Sequence, residues 1–181
     1  MLFEEIGIAG AYVVDLQRHG DERGFFARAY CGEEFAAHGL ASSMPQINMS
    51  HSAHAGTIRG MHYQVAPHGE AKFVRCVRGA VLDVMIDLRP DSPTYLKWLG
   101  VELTADSRRA VYVPEYCAHG FQTLVDDTEV LYPVSSPYAP AAERGVRWDD
   151  PAFGIEWPLP DSPTLSPKDA AWPDFTGAPQ A

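Results

Sequence analysis

The chain has 181 residues, 46% of them hydrophobic, enough for one well-buried domain over its whole length, and no shift in composition marks a second. Its 14 Lys+Arg against 24 Asp+Glu leave a formal net charge of −10, which excludes the broad basic face that nucleic acid requires but not a small anion held by a few converging arginines. No apolar run approaches the ~20 residues of a membrane span, acids stand where an export signal carries bases, and Cys31, Cys76 and Cys117 lack paired spacing, so a cytoplasmic protein with buried thiols is expected.

Short β-like runs dominate the order of elements. Strands are predicted over residues 12–15, 46–50, 57–64 and 72–78, with a hairpin joint at Arg78-Gly79-Ala80. In residues 81–89, Leu82, Val84, Ile86 and Leu88 alternate with Asp83, Met85 and Asp87, the mark of a strand with one apolar face. Further strands are expected over 98–103, 110–113, 120–124 and 129–135. Only residues 32–38 and a short piece beginning at Ser166 look helical. Many short strands with 15 Gly and 15 Pro point to an all-β sandwich or barrel, with the Pro-rich tail from Trp157 draped over it.

Residues 56–79 look like the first motif of a metal-binding cupin barrel with its metal chemistry removed. Gly56 and His62 keep the motif's spacing, but Gln64 stands at the second histidine, and a carboxamide is a poor ligand for a first-row metal. Pro114 and His119 match the second motif, whose Gly is replaced by Tyr116. No metal site is expected. His62 is either a hydrogen-bonded core histidine or a general base kept neutral by nearby cations. Strict alternation places Gly60, His62 and Gln64 on one face and Arg59, Met61 and Tyr63 on the other, so Arg59 reaches His62 only if the strand twists or bulges.

Lys72 reads either as a strand-edge lysine or as an interior cation for a developing oxyanion. Arg23, Arg28 and Arg59 are surface charges or phosphate ligands, and Arg23-Gly24-Phe25-Phe26 sets aromatics beside the charge, as a nucleotide would need. Tyr132, alternating with Val130 and Val134, is a barrel-filling ring or a phenolic acid, and Pro133 beside it marks an expected sheet edge. Asp169 is either the first-turn acid of a helix capped by Ser166 or the partner that holds a histidine ring.

With these residues in view, the chain resembles dTDP-4-dehydrorhamnose 3,5-epimerase and related sugar-nucleotide epimerases from about Gly7 to Trp172. The resemblance rests on Asp21-x-Arg23-Gly24-x-Phe26, Gln46-x-Asn48-x-Ser50, Arg59-Gly60-Met61-His62-Tyr63, Asp83-Val84-x-x-Asp87-x-Arg89, Ala118-His119-Gly120-Phe121, Tyr132 and Leu165-Ser166-x-Lys168-Asp169. It implies a cupin-like jelly roll without metal or cofactor, usually a homodimer exchanging N-terminal strands, that epimerises a nucleotide-linked 4-keto-6-deoxyhexose. By position, His62 would be the base, Asp169 its partner, Lys72 the cation on the enolate oxygen and Tyr132 the opposed acid. Arg23 and Arg59 would meet the diphosphate or sugar, while Phe26, Gln46, Asn48, His119 and Tyr138 would line the site. Arg28 stands where the family usually has Glu, and Pro133 where it usually has Lys. These departures leave open a single-centre epimerase, another nucleotide such as CDP or GDP, and a non-catalytic sugar-nucleotide binding module.

Overall fold

The computed structural model describes residues 1–161 and 163–177. Two antiparallel sheets build a cupin-like jelly roll. One runs in the order β1 (Leu2–Glu5), β2 (Tyr12–Asp15), β10 (Ala110–Val113), β7 (Lys72–Arg78), β12 (Thr128–Val134), β5 (Gln46–Ser52). The other runs β13 (Glu143–Gly145), β6 (Ile58–Gln64), β11 (Cys117–Thr123), β8 (Ala80–Asp87), β9 (Trp98–Thr104). A separate exposed hairpin joins β3 (His19–Asp21) to β4 (Gly24–Phe26). No helix among the described residues is long and apolar enough to cross a membrane.

Period-two alternation divides the apolar side chains among three layers. Val74, Cys76, Val81, Met85, Val111, Cys117, Phe121 and Val130 point between the sheets. Leu82, Val84, Ile86 and Leu88 share one face as expected, and pack beneath Val146, Phe153, Trp157, Leu165 and Phe175 of the C-terminal segment. The tail is therefore the outer cover of the five-stranded sheet. The amide of Phe175 donates to the buried carboxylate of Asp150 and helps to pin it there. On the six-stranded sheet, Phe73, Ala110 and Tyr112 are covered by Phe35 of α1 (Gly32–Ala37).

The structure corrects four expectations. β8 is buried on both faces, because the C-terminal segment covers one and the facing sheet the other. β12 is not an edge: β7 and β5 flank it, and its ladder to β7 goes from Leu131 opposite Arg75 to Val134 opposite Lys72, skipping Tyr132 and Pro133, the proline having no hydrogen to donate. The piece after Ser166 is only a 3-10 turn, Asp169–Ala171. Four short strands, β1, β3, β4 and β13, escaped prediction; three of them have only three residues, and Leu2–Glu5, like them, lacks the run of apolar or β-branched residues that marks the equally short β2 and β10. Of the cysteines, Cys76 and Cys117 are buried and Cys31 is half-buried, all as free thiols.

At the C-terminal end of β8, Asp87 is fully buried and accepts bonds from Arg89 Nε at 2.8 Å, Thr94 Oγ1 at 2.6 Å and Ser92 Oγ at 2.5 Å. Burial alone pushes this carboxyl up, but the bonds from Arg89, Ser92 and Thr94 outweigh it and hold the group at about 2, against 3.8 ordinarily. The stabilisation is therefore present above pH 3.8 and lost as pH falls through about 2. Asp87→Asn should lower unfolding free energy at neutral pH by about 2 kcal/mol and flatten the acid limb of the stability profile, measured by urea melts between pH 2 and 7.

Candidate active site

A cavity of about 440 Å³ opens between the two sheets. β6 and β11 supply one wall, through His62, Arg59 and His119. β5, β7 and β12 supply the facing wall, through Gln46, Asn48, Lys72 and Tyr132. The C-terminal turn closes one side with Lys168 and Asp169, and Tyr138 and Glu143 stand at the mouth.

Arg59 shares the cavity with His62 despite the parity of their positions. The pairing of β11 with β6 changes register between His119 opposite His62 and Phe121 opposite Arg59, and that irregularity re-aims the side chain. Gly60 permits it: a Cβ there would lie 2.6 Å from Gly120 Cα and 2.7 Å from the His119 carbonyl oxygen. Arg59 then donates from Nε to Ser52 Oγ at 3.1 Å and from Nη2 to the His51 carbonyl at 2.8 Å, which fixes its guanidinium at the cavity edge.

His62 donates from Nε2 to Asp169 Oδ1 at 2.5 Å. The ring is 30% exposed and the carboxylate 7%, so the pair faces the cavity through the imidazole. Burial pushes the Asp169 carboxyl up, yet the bond and charge of His62, the Ser166 hydroxyl and the Gly60 amide together hold it below the ordinary value. The Ser166 hydroxyl accepts the Asp169 amide at 3.0 Å, so the local cap and the long-range pairing are both real. Nδ1 of His62 makes no hydrogen bond within the described chain and is the ring nitrogen left for a substrate proton.

Lys72 is buried, not at a strand edge. Its ammonium donates to the His62 carbonyl at 3.1 Å and lies 3.6 Å from Glu70. Desolvation pulls its pKa down, opposed by the charges of Glu70, Asp83 and Glu143. Tyr132 stands on the opposite sheet from His62, and burial raises its phenol, keeping the hydrogen in place at neutral pH. The cavity thus sets the His62–Asp169 pair and the Tyr132 phenol on opposed walls, with the buried Lys72 ammonium reaching across to the His62 carbonyl.

Four polar groups had no role assigned from sequence. Glu143 accepts from Tyr138 Oη at 2.7 Å and from Lys168 Nζ at 2.5 Å, tying the mouth to the C-terminal turn. Lys168 was visible only as part of a Ser-Pro-Lys-Asp string, and Glu143 lies on an unpredicted strand. Glu70, beside Lys72 at 3.6 Å, carries no motif that marks it. Asp83, fully buried, bonds His119. Gln64 spends its carboxamide on structure, donating to the His68 carbonyl at 3.0 Å and accepting the Ala139 amide at 2.6 Å. Gln46 donates to Asn48 at 2.8 Å and accepts the Tyr138 amide at 3.2 Å, so these cavity groups support one another.

Arg23, Phe26 and Arg28 do not line this cavity. Arg23 pairs with Asp21 on the exposed hairpin, Phe26 is 75% exposed, and Arg28 bonds Glu34 at 2.7 Å beside the N-terminal amine.

A family model described as dTDP-4-dehydrorhamnose 3,5-epimerase matches residues 5–177. The chain is 40% identical to the dTDP-4-dehydrorhamnose 3,5-epimerase of Sinorhizobium fredii, over 99% of this chain and 92% of that protein. It is 43% identical to the dTDP-4-dehydrorhamnose 3-epimerase of Streptomyces niveus, over 93% of this chain and 81% of that protein. The crystal structure of the Bacillus anthracis 3,5-epimerase with TDP and pyrophosphate bound superposes with a TM-score of 0.91 at 41% identity, covering 96% of this chain and 99% of that one. Sequence and fold agree over nearly the full length, and the chain belongs to the dTDP-4-dehydrorhamnose 3,5-epimerase family.

Proposed function

We propose that this chain is an isomerase converting dTDP-4-dehydro-6-deoxy-D-glucose to dTDP-4-dehydro-L-rhamnose by inverting C3 and C5. The observation that carries this reading is the opposition of the His62–Asp169 pair and Tyr132 across a cavity holding buried Lys72. Both centres flank the C4 ketone. His62 Nδ1 takes the proton from carbon, the electron pair moves onto the ketone oxygen, and Lys72 stabilises the enolate. Tyr132 then delivers its phenolic proton to the other face of that carbon, which inverts it. The imidazolium and phenolate are reset by proton exchange through water. Arg59 and Lys168 supply positive charge for the diphosphate, and Tyr138, half exposed at the mouth, gives a flat surface for the base. Gln46, Asn48 and His119 hold the sugar.

A second reading, inversion at one carbon only, is favoured by Pro133, which interrupts the ladder to β7 beside Tyr132 and can re-aim its phenol; identity does not separate the readings, being 43% to a 3-epimerase and 43% to a 3,5-epimerase alike. Incubation in D2O with proton NMR of the sugar ring separates the two. Double inversion gives deuterium at C3 and C5 with the L-lyxo product, single inversion gives one site, and no exchange by folded protein removes both readings. His62→Ala should reduce exchange by at least about 10²–10⁴-fold. Tyr132→Phe should retain exchange while losing inversion, because His62 can return a proton to the face it came from.

The alkaline limb of the kcat profile should belong to Lys72. Desolvation holds its folded pKa below the ordinary 10.5, so activity should fall as pH rises through the lysine value. Lys72→Gln should abolish that limb and lower kcat by about 10²-fold or more.

The assembly we infer is a homodimer in which the β3–β4 hairpin of one subunit brings Arg23, Phe26 and Arg28 to the cavity of the other. All six strand residues of the hairpin are exposed, and the edge strand β5 offers Ile47 and Met49, 63% and 62% exposed, as an apolar face. Isologous pairing buries both. Sedimentation should give twice the chain mass, and paired Ile47→Lys and Met49→Lys substitutions should yield monomers with weakened dTDP binding. A cytoplasmic setting suits the three free thiols.

A further inference from the structure

Each histidine in the cavity holds a carboxylate, but the two settings differ. His62 meets Asp169 at an open wall. His119, directly opposite His62 on the neighbouring strand, meets Asp83 of β8 at 2.9 Å, Nε2 to Oδ2, with side chains 7% and 0% exposed. Asp83 Oδ1 is buried and has no hydrogen-bond partner among the described residues. A buried carboxylate with one oxygen unpaired depends on its remaining partner being a donor. Nε2 of His119 must therefore carry the hydrogen. Nδ1 makes no hydrogen bond within the described chain, and the residue lines the cavity, so this nitrogen is the one available to a ligand. Asp83's charge also favours the ammonium form of Lys72, so one buried carboxylate serves a basic group on each wall of the cavity.

We propose that Asp83 is a positioning residue that locks His119 in its Nε2–H tautomer, so that Nδ1 presents a lone pair to the cavity and selects a sugar offering a ring hydroxyl there. This rests on the nucleotide-sugar reading above. A carbonyl or ether oxygen brings no hydrogen to that nitrogen, whereas a hydroxyl donates to it. His119 thereby becomes a reader of hydroxyl hydrogens, distinct in role from the proton-transferring His62 beside it. Asn at position 83 is nearly isosteric but can turn its amide toward the ring, which removes the preference for one tautomer.

The experiment uses the full chain with 15N-labelled histidine, His119 being assigned by comparison with His119→Gln. The expected spectrum of the wild type at neutral pH has a protonated Nε2 and an unprotonated Nδ1. The nucleotide sugar should shift Nδ1, and dTDP alone, lacking the sugar, should leave it. Asp83→Asn should mix or reverse the tautomer and lower kcat/KM for the nucleotide sugar by about tenfold to a hundredfold, with dTDP affinity unchanged. A protonated Nδ1 with a bare Nε2 in the wild type overturns the proposal, as does an Asn variant with unaltered ring signals and kcat/KM. Should that variant fail to fold, the wild-type spectrum decides alone. A wild type that does not turn over the nucleotide sugar counts against the proposed reaction, while the tautomer is still decided by the spectrum.

Discussion

The hydrogen bond from His62 to Asp169 joins two residues 107 positions apart, and much of the architecture serves it. For Asp169 to arrive, the C-terminal segment must lie across the outside of the five-stranded sheet, which the burial of Phe153, Trp157, Leu165 and Phe175 on that sheet secures. The Ser166 hydroxyl then sets the turn, and the Gly60 amide helps to keep the carboxylate charged. A charged carboxylate on one ring nitrogen leaves the other free to act as a base, so packing on one face of a sheet governs chemistry on the other.

Burying charge is the second constraint. Lys72, Asp83, Asp87, His119 and Asp169 all lie within the protein, and each is tolerated because partners replace the water it lost. The satisfaction is uneven by design of the fold. Asp87 accepts from the amide, Nε and Nη2 of Arg89, from Ser92 Oγ and from Thr94 Oγ1 and serves structure, whereas Lys72 has only a backbone carbonyl and a carboxylate 3.6 Å away. An incompletely satisfied cation on the floor of a cavity is one that can still gain from a developing oxyanion.

Much of the fold was legible because it depends on alternation. Residues 72–78 and 110–113 were read with their observed bounds, and Leu82, Val84, Ile86 and Leu88 share the face their spacing demands. What alternation could not supply was the place of Arg59, which lies across from His62 by parity and beside it in fact, because the β6–β11 register shifts and the only local trace is a pair of glycines. Asp169 looked like a helix-cap acid and locally is one; its partner was reached through family resemblance, since no local rule links positions 62 and 169. Glu143 was missed on a strand of three residues, too short for any period to register. Arg23, Phe26 and Arg28 lie outside the cavity lining, and no rule of alternation relates their exposed segment to it.

The uneven cover of the two histidine–carboxylate pairs has a consequence for motion. His119 and Asp83 lie on β11 and β8, strands buried along nearly their whole length, whose amides can exchange with solvent only when the sheet itself comes apart. Asp169 lies on a three-residue turn laid over the barrel from outside, among exposed neighbours on either side. A turn of that kind can open by itself at a small fraction of the global unfolding cost. The strands that carry His119 and Asp83 are thus among the slowest-breathing parts of the molecule, while the turn that carries Asp169 belongs to a faster one, and the His62–Asp169 bond can open and re-form while the two sheets stay closed.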